Sequence, residues 1–262
     1  MTIDIESILS SKFKGKKLPK FIIRWIKKFI HEDEINHILS SWDGKEDFFA
    51  HAVRCLNLTI DIEGLENVPD DGTLYTFASN HPLGGADGVI LASVIVSKFG
   101  NVGILANDFL SYLPPLKPHT VPVNKTGSQS RSLSEGVNNM FKSDRQVLMF
   151  PAGVCSRMID GKVQDLPWTK TFITKSVANS RPIVPVHFVA RNSKRFYTVA
   201  KIRKFLGIKF NVEMCMLPDE FFRTRNSHFT VKIAEPIPCS VFDKSKTAYE
   251  WAAWVRESVY NL

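Results

Sequence analysis

The chain has 262 residues, is 44% hydrophobic and 23% charged, and carries a formal net charge of +8 at pH 7. This is the composition of a globular protein with a sizeable core, and the sequence shows no low-complexity tract and no repeat at a fixed period, which argues against solenoids and propellers. The excess of Lys and Arg suits an anionic partner: nucleic acid, an anionic membrane, or a phosphorylated substrate or carrier.

The N-terminal stretch "MTIDIESILS" lacks the basic and apolar regions of a signal peptide. No run approaches the roughly 18 uninterrupted apolar residues of a spanning helix. The expected location is therefore the cytoplasmic side. Residues 12–30, "KFKGKKLPKFIIRWIKKFI", place Phe21, Ile22, Trp25, Ile26, Phe29 and Ile30 at helical spacing. Lys20, Arg24, Lys27 and Lys28 take the other face, and Pro19 suits a first helical turn. This basic amphipathic pattern fits either a helix lying in an anionic membrane surface or one packed on its own domain. "EDEINHILSSW" and "EDFFAHAVRCL" predict two more helices before residue 57.

From residue 57 the texture changes. "LNLTIDIEG", "GTLYTFA", "NVGILAN", "HTVPV", "RQVLMFP", "PIVPVHFVA" and "HFTVKIAEPI" read as strands. "GVILASVIVSKF", "SRSLSEGVNNMFKS", "TKTFITKSVANS" and "TAYEWAAWVRESVYNL" read as helices. Residues 193–222 fit helix or loop and mix basic with aromatic residues. The alternation predicts an α/β fold: a mixed, largely parallel central sheet flanked by helices on both faces. The predicted organisation is an N-terminal helical, membrane-associating region over 1–56 and an α/β domain over 57–262, with no linker between them.

Cys55, Cys155, Cys215 and Cys239 are scattered and form no C-x-x-C pair, which argues against a zinc or redox motif. Chemistry-bearing residues gather instead at element ends, where α/β sheets bind ligands. "NHPLGGAD" sets His81 and Asp87 on a glycine-rich turn between two apolar elements. It reads as a structural turn with Asp87 as a helix N-cap, or as a base held by a carboxylate. In "VPVNKTGSQSRSL", Lys125 and Arg131 flank a polar turn before a helix, a plausible anion site. "MFPAGVCSR" places Gly153 and Arg157 just after a strand, and "IVPV" follows at 183–186. Singly, each segment has an ordinary structural reading.

Together, in this order, they resemble the blocks of the PlsC-like glycerolipid acyltransferase superfamily: a His-x4-Asp motif, a basic block, F-P-E-G-T-R-S and V-P-V. The resemblance covers roughly residues 57–240, and the amphipathic front end is similar to the family's N-terminal membrane motif. Two departures stand out: five residues separate His81 from Asp87, and Ala152 replaces the usual glutamate. With "DLPW" at 165–168 and "RNS" at 191–193, they resemble a bacterial subgroup that completes ornithine and glycine lipids, some members of which were labelled hemolysins.

The resemblance implies an O-acyltransferase that moves a fatty acyl group from an acyl thioester to a lysolipid hydroxyl. His81 and Asp87 are then the catalytic pair, and Lys125, Arg131, Gly153, Ser156 and Arg157 contact substrate. No metal or cofactor is implied, because the acyl carrier protein or coenzyme A thioester is a substrate. The expected site of action is the cytoplasmic face of the inner membrane, as a peripheral protein. Three competing readings follow from the same residues. They are a lipid hydrolase using Cys155, a non-catalytic membrane-binding protein, and, from charge alone, a nucleic-acid binder without any recognisable motif.

Overall fold

The computed structural model describes residues 1–12, 19–106, 113–122 and 129–262. Helices α1 (Ile5–Lys12), α2 (Lys20–Ile30), α3 (Glu32–Ser41) and α4 (Phe48–Cys55) come first. Strand β1 (Thr59–Glu63), β2 (Thr76–Ser79), α5 (Ala86–Phe99), β3 (Val102–Ala106), β4 (Thr120–Pro122), α6 (Gln129–Lys142) and β5 (Gln146–Met149) follow. Next are β6 (Arg157–Ile159), β7 (Lys162–Gln164), α7 (Thr171–Ala178), β8 (Ile183–Val189), α8 (Lys194–Phe205) and α9 (Leu217–Arg223). The chain closes with β9 (His228–Ile233) and α10 (Ala248–Tyr260).

The main sheet has the order β1-β9-β8-β2-β5-β3-β4. From β8 to β4 every pairing is parallel, while β9 runs antiparallel to β8 and parallel to β1. The expected mixed, largely parallel sheet therefore forms. Its central strands are apolar at successive positions because both faces are covered. Phe77, Leu148, Val184 and Val186 join α4 and α5 in one core. Their neighbours Ala78, Val147, Met149 and Ile183 turn to a second core with α6, α7 and α10.

The N-terminal helices share the first of these cores through Ile3, Ile5, Ile38 and Leu39. The Ile5 amide donates to Glu32 at 2.8 Å, which anchors α1, a helix the sequence pattern had not revealed. α2 begins after Pro19, as its sequence predicts. Its apolar side chains divide: Ile26 and Ile30 turn to the core, whereas Phe21 and Trp25 are 72% and 63% exposed.

The ambiguous region 193–222 resolves into α8, a short turn of 3-10 helix at Val212–Met216, and α9. The β6–β7 hairpin is a second element the sequence reading missed. Its turn is Asp160-Gly161, both with positive φ, the pair that a tight hairpin turn demands.

Candidate active site

Parallel strands β2, β5 and β8 deliver their C-terminal ends to one edge of the sheet, where β2 carries the His81 loop. Asn80 ties the start of that loop to β8: its Oδ1 accepts from the Phe188 amide at 2.7 Å and its Nδ2 donates to the Phe188 carbonyl at 3.0 Å. One step further, Asn192 beyond β8 donates to the Pro82 carbonyl at 3.1 Å. From the other side the Ser156 amide donates to the His81 carbonyl at 2.7 Å. The loop is thus pinned on both flanks.

His81 Nδ1 lies 3.1 Å from Asp87 Oδ2. The same oxygen accepts from the amides of Leu83 at 2.9 Å and Gly84 at 3.3 Å, and Asp87 Oδ1 accepts from the Gly88 amide at 2.9 Å. Asp87 is the second residue of α5, with Gly85 in the capping position. A carboxylate there also gains from the helix N-terminus. Between His81 and Asp87 the chain turns at Gly84, whose φ is +75°. A Cβ on Gly84 would lie 2.9 Å from a Leu217 methyl and 3.0 Å from Cys155 Cβ, so only glycine fits this turn.

Burial alone would raise the pKa of Asp87, but the charge of His81, the hydrogen bond to it and the Leu83 and Gly88 amides outweigh burial and hold it below its ordinary value. Burial opposes the charging of His81 too; the Asp87 charge and hydrogen bond overcome it and raise the histidine above its ordinary value. An ionised Asp87 requires the proton on Nδ1, so the lone pair of the neutral ring is on Nε2. Among the described residues Nε2 has no hydrogen-bond partner, and the His81 side chain is 16% exposed. Phe150 stacks on the imidazole at 4.0 Å between ring centroids and fixes its plane.

The hairpin brings in a residue that sequence reasoning missed. Register pairs Arg157 with Gln164, so the next residues outward, Ser156 and Asp165, fall side by side. Ser156 Oγ donates to Asp165 Oδ1 at 2.5 Å, the His81 amide reaches the same oxygen at 3.2 Å, and Trp168 Nε1 donates to Oδ2 at 2.8 Å. Burial raises the pKa of Asp165 despite these donors. α10 closes over it: the Asp165 amide donates to the Tyr260 hydroxyl at 2.7 Å and Arg256 donates to the Asp165 carbonyl at 2.7 Å.

Of the expected substrate-binding residues, Ser156 and Arg157 are buried beside the pair, and Gly153 sits on an exposed turn with φ +69°. The Arg157 guanidinium is turned inward. It donates to the Cys155 carbonyl at 2.7 Å and to Cys155 Sγ at 3.0 Å, and it lies 3.5 Å from buried Glu213. Lys125 lies outside the described residues; Arg131 falls in the first turn of α6, its side chain also outside them. Cys155 is fully buried against Met214, and burial pushes its thiol up to about 11. A thiol held so far from ionisation is a poor nucleophile.

Comparison with known proteins places the chain in a family. The family model described as Acyltransferase matches residues 8–262. The lyso-glycine lipid O-acyltransferases of Bacteroides thetaiotaomicron and Phocaeicola vulgatus are 47% and 46% identical to it over 265 residues. Those alignments cover 99% of this chain and 97% and 95% of theirs. Among solved structures, the 1-acyl-sn-glycerophosphate acyltransferase PlsC of Thermotoga maritima is similar at a TM-score of 0.48 and 17% identity, over 92% of each chain. With a family match over nearly its whole length, the chain belongs to the Acyltransferase family and is an acyltransferase.

Proposed function

We propose that this enzyme transfers a fatty acyl group from an acyl thioester to the hydroxyl of a glycine-type lysolipid, with His81 as general base. The observation that carries the mechanism is the buried His81–Asp87 pair, with Nε2 unpartnered among the described residues. The near-full-length relatives named for lyso-glycine lipid carry the choice of acceptor. Glycine has no hydroxyl of its own. A glycine acylated on nitrogen keeps a free carboxylate, so its O-acylation takes place on a hydroxyl of the attached chain.

His81 Nε2 removes the proton of that hydroxyl as its oxygen attacks the thioester carbonyl. The tetrahedral intermediate collapses, the C–S bond breaks, and the imidazolium returns the proton to the departing thiolate. Asp87 keeps the ring in the right tautomer and stabilises its charged form. No protein nucleophile is needed. The Leu83 and Gly84 amides already hold Asp87, so the developing oxyanion takes its donors from elsewhere. Lys125 and Arg131 bind the acceptor's anionic group. Arg157, Ser156 and Asp165 act as positioning residues that shape the floor under His81. Acyl carrier protein or coenzyme A delivers the donor.

The acceptor is an amphiphile, so the enzyme works at a membrane surface. Among the described residues no helix is long and apolar enough to cross a membrane. α2, with Phe21 and Trp25 in water and Lys20, Arg24 and Lys28 exposed beside them, is the proposed peripheral contact on the cytoplasmic face.

The test is incubation of the purified enzyme with labelled acyl thioester and a panel of acceptors: N-acylated glycine with a chain hydroxyl, mono-acylated ornithine, and lysophosphatidate. Preferred formation of the glycine-based ester supports the reading. Thioester loss that needs no acceptor would make the protein a hydrolase, and no thioester loss would overturn the proposed donor.

A further inference from the structure

The end of α8 combines two properties that rarely coincide: it is tightly built, and it is apolar on the outside. The helix stops in a Schellman turn. The Ile208 amide donates to the Arg203 carbonyl and the Gly207 amide to the Lys204 carbonyl, each at 3.1 Å, with Gly207 at φ +66°. Buried Arg203 then locks the turn from within. Its Nη1 donates to the Ile208 carbonyl at 2.9 Å, and its Nε and Nη2 donate to the two oxygens of Glu213 at 2.8 and 3.2 Å.

On this fixed frame Phe205 is 89% and Phe210 67% exposed, and Ile202, Leu206 and Ile208 are exposed beside them. Lys201, Lys204 and Lys209 alternate with these side chains, are themselves exposed, and have no ion-pair partner among the described residues. No Asp or Glu occurs between residues 194 and 212. Leaving several large apolar side chains in water is costly, and a soluble surface has no reason to order them. The turn is also linked to the site. Glu213, which holds Arg203, faces Arg157, and Arg157 holds the Cys155 carbonyl next to Ser156, whose amide bonds the His81 carbonyl.

We propose that residues 201–210 form a foot that inserts Phe205, Leu206 and Phe210 into an anionic lipid surface, with the three lysines among the headgroups. It is a contact separate from α2. A lipid surface fits better than an acidic carrier protein, because exposed aromatic and aliphatic side chains with interspersed lysines match the apolar edge and charged headgroups of a bilayer. The buried Arg203–Glu213–Arg157 chain of contacts ties the foot to the loop that carries the base, so docking the foot sets the position of the catalytic pair relative to the membrane.

The experiment is co-sedimentation of the full chain with phosphatidylcholine vesicles containing phosphatidylglycerol, alongside F205S/F210S and K201Q/K204Q/K209Q. These side chains lie in water, so both variants should keep the wild-type melting temperature and full turnover of a dispersed short-chain acceptor. The double variant should bind vesicles about 10- to 100-fold more weakly. The lysine variant should lose binding at low salt and differ little from wild type at high salt. Wild-type vesicle binding by the folded double variant would overturn the proposal. So would vesicle binding left intact while affinity for acyl carrier protein falls, or while a wild-type dimer dissociates. Because the readout is binding, it stands or falls apart from the acceptor and the general-base assignment.

Discussion

The His81 loop and the exposed stretches of α2 and the α8 turn solve opposite problems. In the loop, polar atoms have left water, and nearly every one has a partner: Asp87 accepts from His81, Leu83, Gly84 and Gly88, and Asp165 from His81, Ser156 and Trp168. On α2 and the α8 turn, apolar side chains remain in water beside exposed lysines; Lys27 is paired with Asp4 and Glu32, whereas Lys20, Lys28, Lys201, Lys204 and Lys209 have no ion-pair partner among the described residues. In the first arrangement the ring nitrogen Nε2 of His81 has no hydrogen-bond partner among the described residues and is free for chemistry. The second is incomplete until something apolar and anionic covers it. The difference separates residues that should govern turnover from residues that should govern where turnover happens.

The comparison breaks most sharply at the base. His81→Ala should lower transfer about 10²- to 10⁴-fold with the fold intact, measured as ester formed from labelled thioester. It should leave vesicle binding unchanged. Asp87→Asn should come next in effect. It removes the charge that raises His81 and loosens the amides of the loop, so turnover and melting temperature should both fall.

Asp165→Ala probes whether the floor matters. It strands Ser156 Oγ and Trp168 Nε1 in a buried place, and each unpaired donor costs about 1–3 kcal/mol. Melting temperature should drop, and kcat should fall more than KM rises, because the His81 carbonyl and amide shift together. A change in stability with unaltered kcat would reduce Asp165 to a purely structural role.

On the other side of the comparison, Phe21→Ser with Trp25→Ser should weaken vesicle binding about 10-fold and slow transfer to bilayer-embedded acceptor. Transfer to dispersed short-chain acceptor should hold. Equal losses on both acceptors would mean that α2 serves the fold rather than the surface. Cys155→Ser should have the smallest effect, with turnover retained, since its thiol is buried and pushed up to about 11.

How much of this was legible in the sequence follows from the range of the forces involved. β2, β5 and β8 were readable because both faces of the sheet are buried, which leaves short uninterrupted apolar runs. The pair His81 and Asp87 was readable because a glycine-rich turn between apolar runs is local. α8 was not, because Phe196, Tyr197 and Ala200 point inward while Ile202 and Phe205 point outward, which blurs helical periodicity. α1 escaped because eight largely polar residues carry little pattern, and its anchor, Glu32, is distant in sequence. Asp165 escaped for a related reason: its partners Ser156 and His81 meet it only through the hairpin register and the packing of two strands. The Asp160-Gly161 turn signal was present and would have found the hairpin.

The most direct test of the central claim is the pH dependence of kcat/KM on a dispersed acceptor. A general base works when deprotonated, and Asp87 raises the pKa of His81 above its ordinary 6.5. The rate should therefore climb with pH through a single midpoint above 6.5. In Asp87→Asn the raising charge is gone and burial remains, so the same limb should move to lower pH beneath a reduced plateau. A wild-type profile that stays flat across this range, or a limb that Asp87→Asn leaves in place, would contradict the assignment of His81 as the base.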